Sequence, residues 1–312
     1  MESAVQDHGS AVETGTAQLK ARVRDFWQVH PCDAQFATAE VGSRPFYQQV
    51  ERYRYGVHPH LPRAAGFTKA TGLRVLEIGN GLGTDGARFA AAGALYTGID
   101  LTNTASALAR RRFELFKLPG SFAVADAENL PFPDNHFDLV YSHGVLHHTP
   151  NIQRAIDEVY RVLRPAGRAV VMLYYRNSFN YRINIRVVRR LRAHVLRSET
   201  GVKLAHHLLG ETIEQLQSHA DHMKCDPQAY FAPDTFLSRN TDGPDCPLAR
   251  VYSRAEARLL FQAFSEVRFA VHFWNRRWLP LLGKLLPARL ESWLTSRWGW
   301  HLWIYATKPA EA

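Results

Sequence analysis

The chain has 312 residues, 46% of them hydrophobic, and carries a formal net charge of +9. That length can bury one large core or a main domain with an elaborate cap, and no apolar run reaches the ~18 residues that a membrane span needs. Three widely separated cysteines exclude a disulfide framework and have no metal-ligand spacing, and no apolar leader precedes the first helix, so we expect a cytoplasmic protein. The positive charge alone does not choose between nucleic acid, anionic lipid and an acidic substrate.

The first quarter of the chain lies outside any regular alternation of strands and helices. Residues 1–16 are polar and small, which predicts disorder, and residues 17–72 form a predicted helical lid. A helical pattern runs from Gln18 to about His30, and a second runs from Phe46 to about Tyr55 before His58-Pro59-His60 breaks it. These helices either close over a ligand or only cover an open flank of the sheet.

Residues 73–175 alternate regularly between strand and helix. Strands are predicted at 74–78, 94–100, 122–125, 137–142 and 168–174, with helices at 85–92, 102–116 and 152–163. Such alternation is typical of a parallel sheet with helices on both faces, an α/β architecture. An insertion at 176–250 forms a predicted helical cap, and residues 251–312 return to the core with two further strands at 267–274 and 300–307.

A glycine-rich turn follows the first strand. Gly79, Gly81 and Gly83 stand at alternate positions, and a helix begins near Thr84, so the backbone can approach a ligand at a helix N-terminus. The second strand ends in Asp100, about 20 residues further on, where a ribose-binding carboxylate is expected. Ligands of such sheets lie at the carboxyl ends of the strands.

Together, several segments resemble the successive motifs of class I S-adenosylmethionine-dependent methyltransferases, particularly the group that includes the ubiquinone and menaquinone methyltransferases. The segments are Glu77–Gly83, Asp100, Asp126-Ala127-Glu128, residues 137–142, Val145-Leu146-His147-His148 and residues 156–167, with Ala166 where glycine is more usual. The glycine spacing differs from the Gly-x-Gly-x-x-Gly of dinucleotide-binding proteins. The resemblance covers about a third of the chain, residues 75–175. It implies a Rossmann-like, seven-stranded, mostly parallel sheet and S-adenosyl-L-methionine as cofactor, with S-adenosyl-L-homocysteine as product.

The resemblance also implies roles for individual residues in cofactor binding. Asp100 would accept hydrogen bonds from both ribose hydroxyls, and Asp126 one from the adenine amino group, unless Asp126 only caps the following turn. Arg54 and Tyr55 would reach the cofactor carboxylate from the lid, unless they form a surface pair. The full predicted cofactor-binding set is Glu77, Gly79, Gly81, Gly83, Asp100, Leu101, Asp126, Ala127 and Ser142.

Methyl transfer from a sulfonium needs an aligned acceptor and at most one proton acceptor. His143, just past the fourth strand, is the predicted base, and Tyr175, at the end of the fifth strand, is the second predicted catalytic residue. His147 and His148 are weaker candidates. No metal is predicted.

Two stretches outside the core bear on the acceptor. Residues 182–197 predict a helix with Val187, Val188, Leu191 and Val195 on one side and arginines on the other. Six of the seven tryptophans lie between Trp274 and Trp303, which suits a lipid-like acceptor, a peripheral membrane contact, a homodimer contact or ordinary core packing. Because the arginines and the tryptophans lie far apart, we predict a hydrophobic or aromatic small-molecule acceptor, methylated on oxygen, nitrogen or carbon. The alternatives are an RNA methyltransferase that uses the basic cap and a cofactor-binding scaffold without turnover.

Overall fold

A mostly parallel sheet forms the centre of the computed structural model, which describes residues 2–209, 211–278 and 286–310. Its strands are β1 Arg74–Ile78, β2 Leu95–Asp100, β3 Ser121–Val124, β4 Phe137–His143, β5 Leu163–Tyr175, β6 Val251–Tyr252, β7 Val267–His272 and β8 His301–Thr307. The strand order is β3-β2-β1-β4-β5-β8-β7, and β6 pairs with the end of β5. Only β8 runs antiparallel to its neighbours, between β5 and β7.

Helices lie on both sides of this sheet and over its carboxyl edge. They are α1 Glu2–Val29, α2 Arg44–Val57, α3 Leu61–Ala65, α4 Thr84–Ala91, α5 Asn103–Phe116, α6 Ile152–Val162, α7 Arg190–Val195, α8 Glu199–Leu209, α9 Ile213–Cys225, α10 Pro227–Phe231, α11 Pro233–Arg239, α12 Arg254–Leu260 and α13 Ala288–Trp298. No helix among the described residues is long and apolar enough to cross a membrane.

The predicted Rossmann-like sheet is confirmed, with β1 at the predicted residues. The structure adds the two-residue strand β6, so the described sheet has eight strands rather than seven. Strand β5 begins at Leu163 rather than Arg168, because Leu163 pairs with Phe137 across an irregular step in the register. Side chains alternate along each strand and form a core on each face: Leu76 and Val140 pack on one side, Val75 and Tyr141 on the other.

Helix α1 covers residues 2–16 of the stretch that was predicted to be disordered. It begins at Glu2 and runs without a break to Val29. No proline interrupts this stretch, so a helix anchored by its second half can extend back through the polar residues. The anchor is contact with the sheet domain: Gln28 accepts a hydrogen bond from the backbone N–H of Asn103 at 3.0 Å, and the Trp27 ring lies 5.1 Å from the ring of His148.

The predicted faces of the helix at residues 182–197 are wrong. Asn180–Arg189 forms a π-helix that continues into α7, and the residues assigned to its apolar side are 46–65% exposed: Val187, Val188, Leu191 and Val195. Two arginines instead turn inward: Arg190 donates to the carbonyl of Phe231, and Arg192 pairs with Glu211. A π-helix has more residues per turn than an α-helix, so faces assigned with the α-helical period do not apply.

The cap has its own apolar core, which encloses a histidine. His219 is 3% exposed, and the Tyr230 hydroxyl lies 2.8 Å from its Nδ1. Burial lowers the pKa of His219 to about 4, with the charges of Arg192 and Arg189 acting in the same direction. The folded protein therefore keeps His219 neutral at pH values where the unfolded chain protonates it.

We expect the stability of the protein to fall as the pH decreases from about 6.5 to about 4, with His219 contributing up to about 3 kcal/mol of that loss. The sign follows from the depressed folded-state pKa, since only the unfolded chain binds the proton in this window. Urea unfolding of the wild type and of His219→Gln at several pH values measures it. Equal slopes of unfolding free energy against pH for the two proteins would contradict the expectation.

Candidate functional site

A cavity opens at the carboxyl edge of the sheet, bounded by the loops after β1, β2, β3 and β4 and covered by residues of α1 and α2. Most of the predicted site residues line it: Glu77, Gly79, Gly81, Asp100, Leu101, Asp126, Ala127 and His143. The topology explains this convergence, because parallel strands bring their carboxyl ends, and the loops that follow, to one edge.

All three glycines of the turn have left-handed conformations that side chains disfavour, and two of them, Gly79 and Gly81, line the cavity. Gly79 has a φ of 77°, and a Cβ added there would lie 2.2 Å from Cγ2 of Val145, so no side chain fits. Gly81 has a φ of 49°, and a Cβ there would meet no atom within 4 Å, because it would project into open space. At Gly79 the turn packs directly against Val145, whereas at Gly81 it leaves room for a ligand beside the backbone.

Asp100 lies beside this turn with its carboxylate held by three donors. Its Oδ2 accepts from the backbone N–H of Gly81 at 3.1 Å, and its Oδ1 accepts from the backbone N–H and the hydroxyl of Thr102 at 3.0 and 2.8 Å. Burial raises the pKa of Asp100 above its ordinary value, although these hydrogen bonds oppose the shift. A carboxylate offers about four lone pairs, so Asp100 is fixed in place with acceptor capacity left for a ligand.

Asp126 lies beneath α1 on the cavity wall. Its Oδ1 accepts from the backbone N–H of Glu128 at 2.9 Å, the turn-capping contact, and its Oδ2 receives the ammonium of Lys20 at 2.6 Å. Lys20 also reaches Glu128 at 2.7 Å. Lys20 thereby joins the lid to the cavity wall, a role that sequence analysis did not predict.

A buried network centres on Asp85, in the first turn of α4. Arg54 donates twice to its carboxylate, at 2.9 and 2.6 Å, and the hydroxyls of Tyr55 and Tyr141 donate at 3.0 and 2.8 Å. Arg54 also donates to Asp33 at 3.0 Å. Arg54 and Tyr55 are therefore not a surface pair. Arg54 lines the cavity, whereas Tyr55 does not line it and contacts Asp85 through its hydroxyl.

Glu77 and Asp85 are close enough to influence each other, and they differ in their proton affinity. Burial raises the pKa of Glu77 well above its ordinary value, and the charge of Asp85 raises it further. Burial would also raise the pKa of Asp85, but Arg54 outweighs it and holds that pKa below its usual range. Asp85 is consequently the stronger acid of the pair, and Glu77, which accepts a hydrogen bond from the Tyr96 hydroxyl at 2.5 Å, is the weaker one.

His143 lies on the cavity wall as predicted, but its surroundings do not suit a base. The guanidinium of Arg54 lies 3.1 Å from Nδ1, and arginine can only donate. The ring proton must then be on Nε2, which is buried without a partner among the described residues. Burial, and then the charge of Arg54, lowers the pKa of His143 well below its ordinary value. The geometry thus favours a neutral His143 that donates from Nε2.

Three predicted site residues lie away from the cavity. Gly83 packs against Ala109 of α5, where a Cβ would be 3.2 Å from its Cα. Ser142 is fully buried and donates to the carbonyl of Ile78 at 3.0 Å. Tyr175 packs into the core on the opposite face of the sheet. Because side chains alternate along a strand, the neighbouring Tyr174 reaches the cavity instead.

Tyr174 belongs to a group of cavity residues outside the predicted site set. Its hydroxyl donates to Asp242 of the cap insertion at 2.7 Å, and its ring lies 3.8 Å from that of His147. The lid adds His58 and the start of β8 adds His301. These residues come from distant parts of the chain, so no local sequence pattern indicates that they meet.

Comparisons with known proteins agree with this geometry. Residues 76–171 match the family model described as a methyltransferase domain. The chain is 38% identical over 133 residues to phthiotriol/phenolphthiotriol dimycocerosates methyltransferase 1 of Mycobacterium ulcerans (strain Agy99), a match that covers 42% of this chain and 45% of that protein. It is 38% identical over 126 residues to fatty-acid O-methyltransferase of Mycolicibacterium smegmatis (strain ATCC 700084 / mc(2)155), covering 39% and 44%.

A third relative is demethylmenaquinone methyltransferase of Clavibacter sepedonicus, 36% identical over 104 residues, which covers 32% of this chain and 40% of that protein. The chain thus spans less than half the length of these curated relatives. Among solved structures, magnesium protoporphyrin IX methyltransferase from Synechocystis PCC 6803, with bound S-adenosyl-L-homocysteine, superposes with a TM-score of 0.54 at 14% identity over 93% of this chain and 99% of that chain. The class I methyltransferase fold is confirmed, and so is the predicted resemblance of the core to these enzymes.

Proposed function

We propose, from the premise that residues 76–171 are a methyltransferase domain, that this chain transfers a methyl group from S-adenosyl-L-methionine to a hydrophobic small molecule. The observation that carries the proposal is the alignment of the Gly81 turn, Asp100 and Asp126 along one wall of the cavity. Each of the three has room or acceptor capacity that the protein itself does not use up.

The residues present fit the cofactor. Asp100 takes a ribose hydroxyl on the acceptor position of Oδ2 that its three donors leave free, and the empty space beside Gly81 accommodates a ligand against the backbone. Asp126 accepts from the adenine amino group on the lone pairs that Lys20 and Glu128 leave free. Lys20 holds α1 over this part of the cavity and so encloses the bound cofactor.

The acceptor binds at the other end of the cavity, beside His143 and beneath Trp27 of the lid. Met172 and Val145 supply apolar walls there, and Tyr174 supplies an aromatic one. The curated relatives are named for a fatty acid, for phthiotriol dimycocerosates and for a menaquinone precursor, which are lipophilic compounds. This composition favours a lipophilic acceptor over RNA, and the inward-turned Arg190 and Arg192 weaken the basic-cap alternative.

The bound cofactor supplies an electrophilic methyl group on a sulfonium, whose departure leaves a neutral thioether. The protein therefore contributes position more than proton transfer. Arg54 and Asp85 fix His143 at the cavity wall, and the Nε2–H of His143 is available to hold an acceptor oxygen or nitrogen in line with the methyl group.

The cofactor assignment is tested by Asp100→Ala, which we expect to weaken binding of S-adenosyl-L-homocysteine about 10- to 150-fold, because a hydrogen bond to a charged group is worth about 1.5–3 kcal/mol. Calorimetric titration measures the affinity. Asp138→Ala is the matched control, since Asp138 contacts Arg74 and Arg164 away from the cavity. Unchanged affinity in folded Asp100→Ala protein would remove Asp100 from the site.

For His143, we expect His143→Ala to lower turnover about tenfold without changing the pH dependence of the rate between pH 6 and 8. A neutral donor loses positioning when removed, whereas loss of a general base costs about 10²–10⁴-fold and removes an ionisation from the profile. Steady-state rates across this pH range separate the two roles. A loss above 10³-fold, together with a vanished limb of the pH profile, would restore the base assignment.

A further inference from the structure

Five histidines lie close together at and behind the acceptor end of the cavity, which His58, His143 and His301 line. His58 and His60 come from the lid after α2, His143 from the end of β4, His272 from the end of β7 and His301 from the start of β8. Sheet register explains part of this, because His272 pairs with His301 across β7 and β8. His60 stacks on His272 with ring centres 4.8 Å apart.

Three of these residues have the spacing of metal ligands. His58, His60 and His301 each offer a ring nitrogen, and the three nitrogens lie within 4.8 Å of one another. Their ring centres form a near-regular triangle with sides of 5.1, 5.8 and 5.9 Å. Three imidazoles bound to one zinc ion at 2.0–2.1 Å in tetrahedral directions have ring centres roughly 5 Å apart, so small ring rotations suffice to close the group.

The protein itself does not use all of these nitrogens. Nδ1 of His58, Nε2 of His60 and Nδ1 of His301 are buried and have no hydrogen-bond partner in the described part of the chain. A buried polar atom left unpaired costs about 1–3 kcal/mol, and such atoms in a folded protein call for an explanation. Aromatic packing against Phe273, 4.6 Å from the His58 ring, explains the position of the rings but not their unpaired nitrogens.

The positive charge beside the group is balanced. Arg54, which lines the cavity, is paired with both Asp85 and Asp33. The neutral imidazole is the form that binds a metal ion.

We propose that His58, His60 and His301 bind a divalent transition-metal ion, with zinc the best match to three imidazoles, and that its remaining coordination position faces the acceptor. Both His58 and His301 line the cavity, which gives the ion an open side. The inference rests on the proposed function and specifies the acceptor as a compound with an ionisable hydroxyl. It also departs from the expectation of no metal, which considered only ligands close in sequence.

The chemistry balances without any further reactant. The metal ion draws electrons from the bound hydroxyl and lowers its pKa, so the proton leaves to water. An oxygen lone pair then forms the bond to the methyl carbon as the carbon–sulfur bond breaks, and its electrons return to sulfur. His143, 5.4 Å from His301 between ring centres, is close enough to contact the same acceptor.

A second group, His148, Asp242 and Cys246, also has ligand atoms within 4.8 Å of one another. Its members already have partners: His148 Nδ1 with the carbonyl of Leu248, Cys246 Sγ with the same carbonyl, and Asp242 with Tyr174. His148 Nε2 and Asp242 Oδ2 lie 3.6 Å apart, and neither has a hydrogen-bond partner among the described residues. This group serves as the internal comparison.

The test is titration of tag-free, chelator-treated protein with Co²⁺, followed by visible absorption, and with Zn²⁺ in competition. We expect one equivalent to bind with the bands of a four- or five-coordinate site. His60→Gln and His58→Asn should each weaken binding by more than about 100-fold, since even loss of a residue that only supports a ligand costs about 10–100-fold. His207→Gln, at an exposed position on α8, is the matched control, and circular dichroism verifies folding.

Two outcomes would overturn the proposal. One is wild-type protein that binds no Co²⁺ at micromolar concentration. The other is binding that survives in both lid variants but is lost in Cys246→Ser, which would place the ion in the second group. Titration with S-adenosyl-L-homocysteine in the same samples distinguishes failure of the metal site from failure of the proposed function. If the protein binds S-adenosyl-L-homocysteine but no metal, only the metal site is refuted. If it does not bind S-adenosyl-L-homocysteine, the proposed function is refuted.

Discussion

Asp85→Asn is expected to lower the free energy of unfolding by about 3–5 kcal/mol, because it leaves the buried guanidinium of Arg54 without its main counter-charge. The Asp85 side chain is 1% exposed and that of Arg54 is 13% exposed, so water cannot replace the lost carboxylate. Asp33 remains as a partner of Arg54 but contacts only one of its nitrogens. Urea unfolding at pH 7 measures the change.

A double variant tests whether the interaction between Arg54 and Asp85 itself causes the loss of stability. Arg54→Met combined with Asp85→Asn removes both charges, so we expect it to be less destabilised than the sum of the single variants, with a coupling of about 0.5–3 kcal/mol. Additive effects in the double variant, or a loss below about 1 kcal/mol for Asp85→Asn alone, would show that the ion pair does not hold this region together.

The second large effect concerns the glycine turn. Gly79→Ala should weaken binding of S-adenosyl-L-homocysteine about 100-fold or more, since the new methyl group cannot fit 2.2 Å from Val145 and the backbone must shift. The left-handed conformation adds about 1–2 kcal/mol of its own for a residue with a Cβ. Calorimetric titration of the folded variant measures the affinity.

Gly72→Ala is the control that separates the strain of a left-handed backbone conformation from the steric clash with Val145. Gly72 has a φ of 74°, close to that of Gly79, but a Cβ there meets no atom within 4 Å and the residue lies outside the cavity. We expect this variant to lose some stability and keep its ligand affinity. If both variants bind the ligand as the wild type does, the turn does not shape the cofactor site.

The strands and the site residues at their ends depend on local sequence pattern, so they could be predicted from the sequence. Short apolar runs between amphipathic helices predicted strands β1 to β4 to within one residue, because burial on both faces requires such runs. The placement of Asp100 and Asp126 followed from the strands that precede them. Even Ala166, noted as a departure from the usual glycine, has a φ of 60°, the left-handed conformation that glycine favours.

Contacts between distant segments could not be predicted in the same way. His60 and His301 meet only because the lid folds back over the first residues of β8. Tyr175 was predicted as a site residue instead of Tyr174 because an all-apolar strand does not reveal which of its residues face the cavity. The faces of the cap helix were mispredicted for a different reason. Its π-helical turns have a different number of residues per turn from the α-helix on which the prediction rested.

The position of β8 between β5 and β7 has a consequence for biosynthesis. On the ribosome, β7 emerges before β8, yet among the described strands it pairs only with β8. Until the chain has been synthesised through Thr307, β7 has no described strand to join, and on that edge only the end of β5 has a partner, in β6. His301 arrives with β8. The nascent chain can thus form the glycine turn and its neighbours early, but it completes the acceptor end of the cavity last.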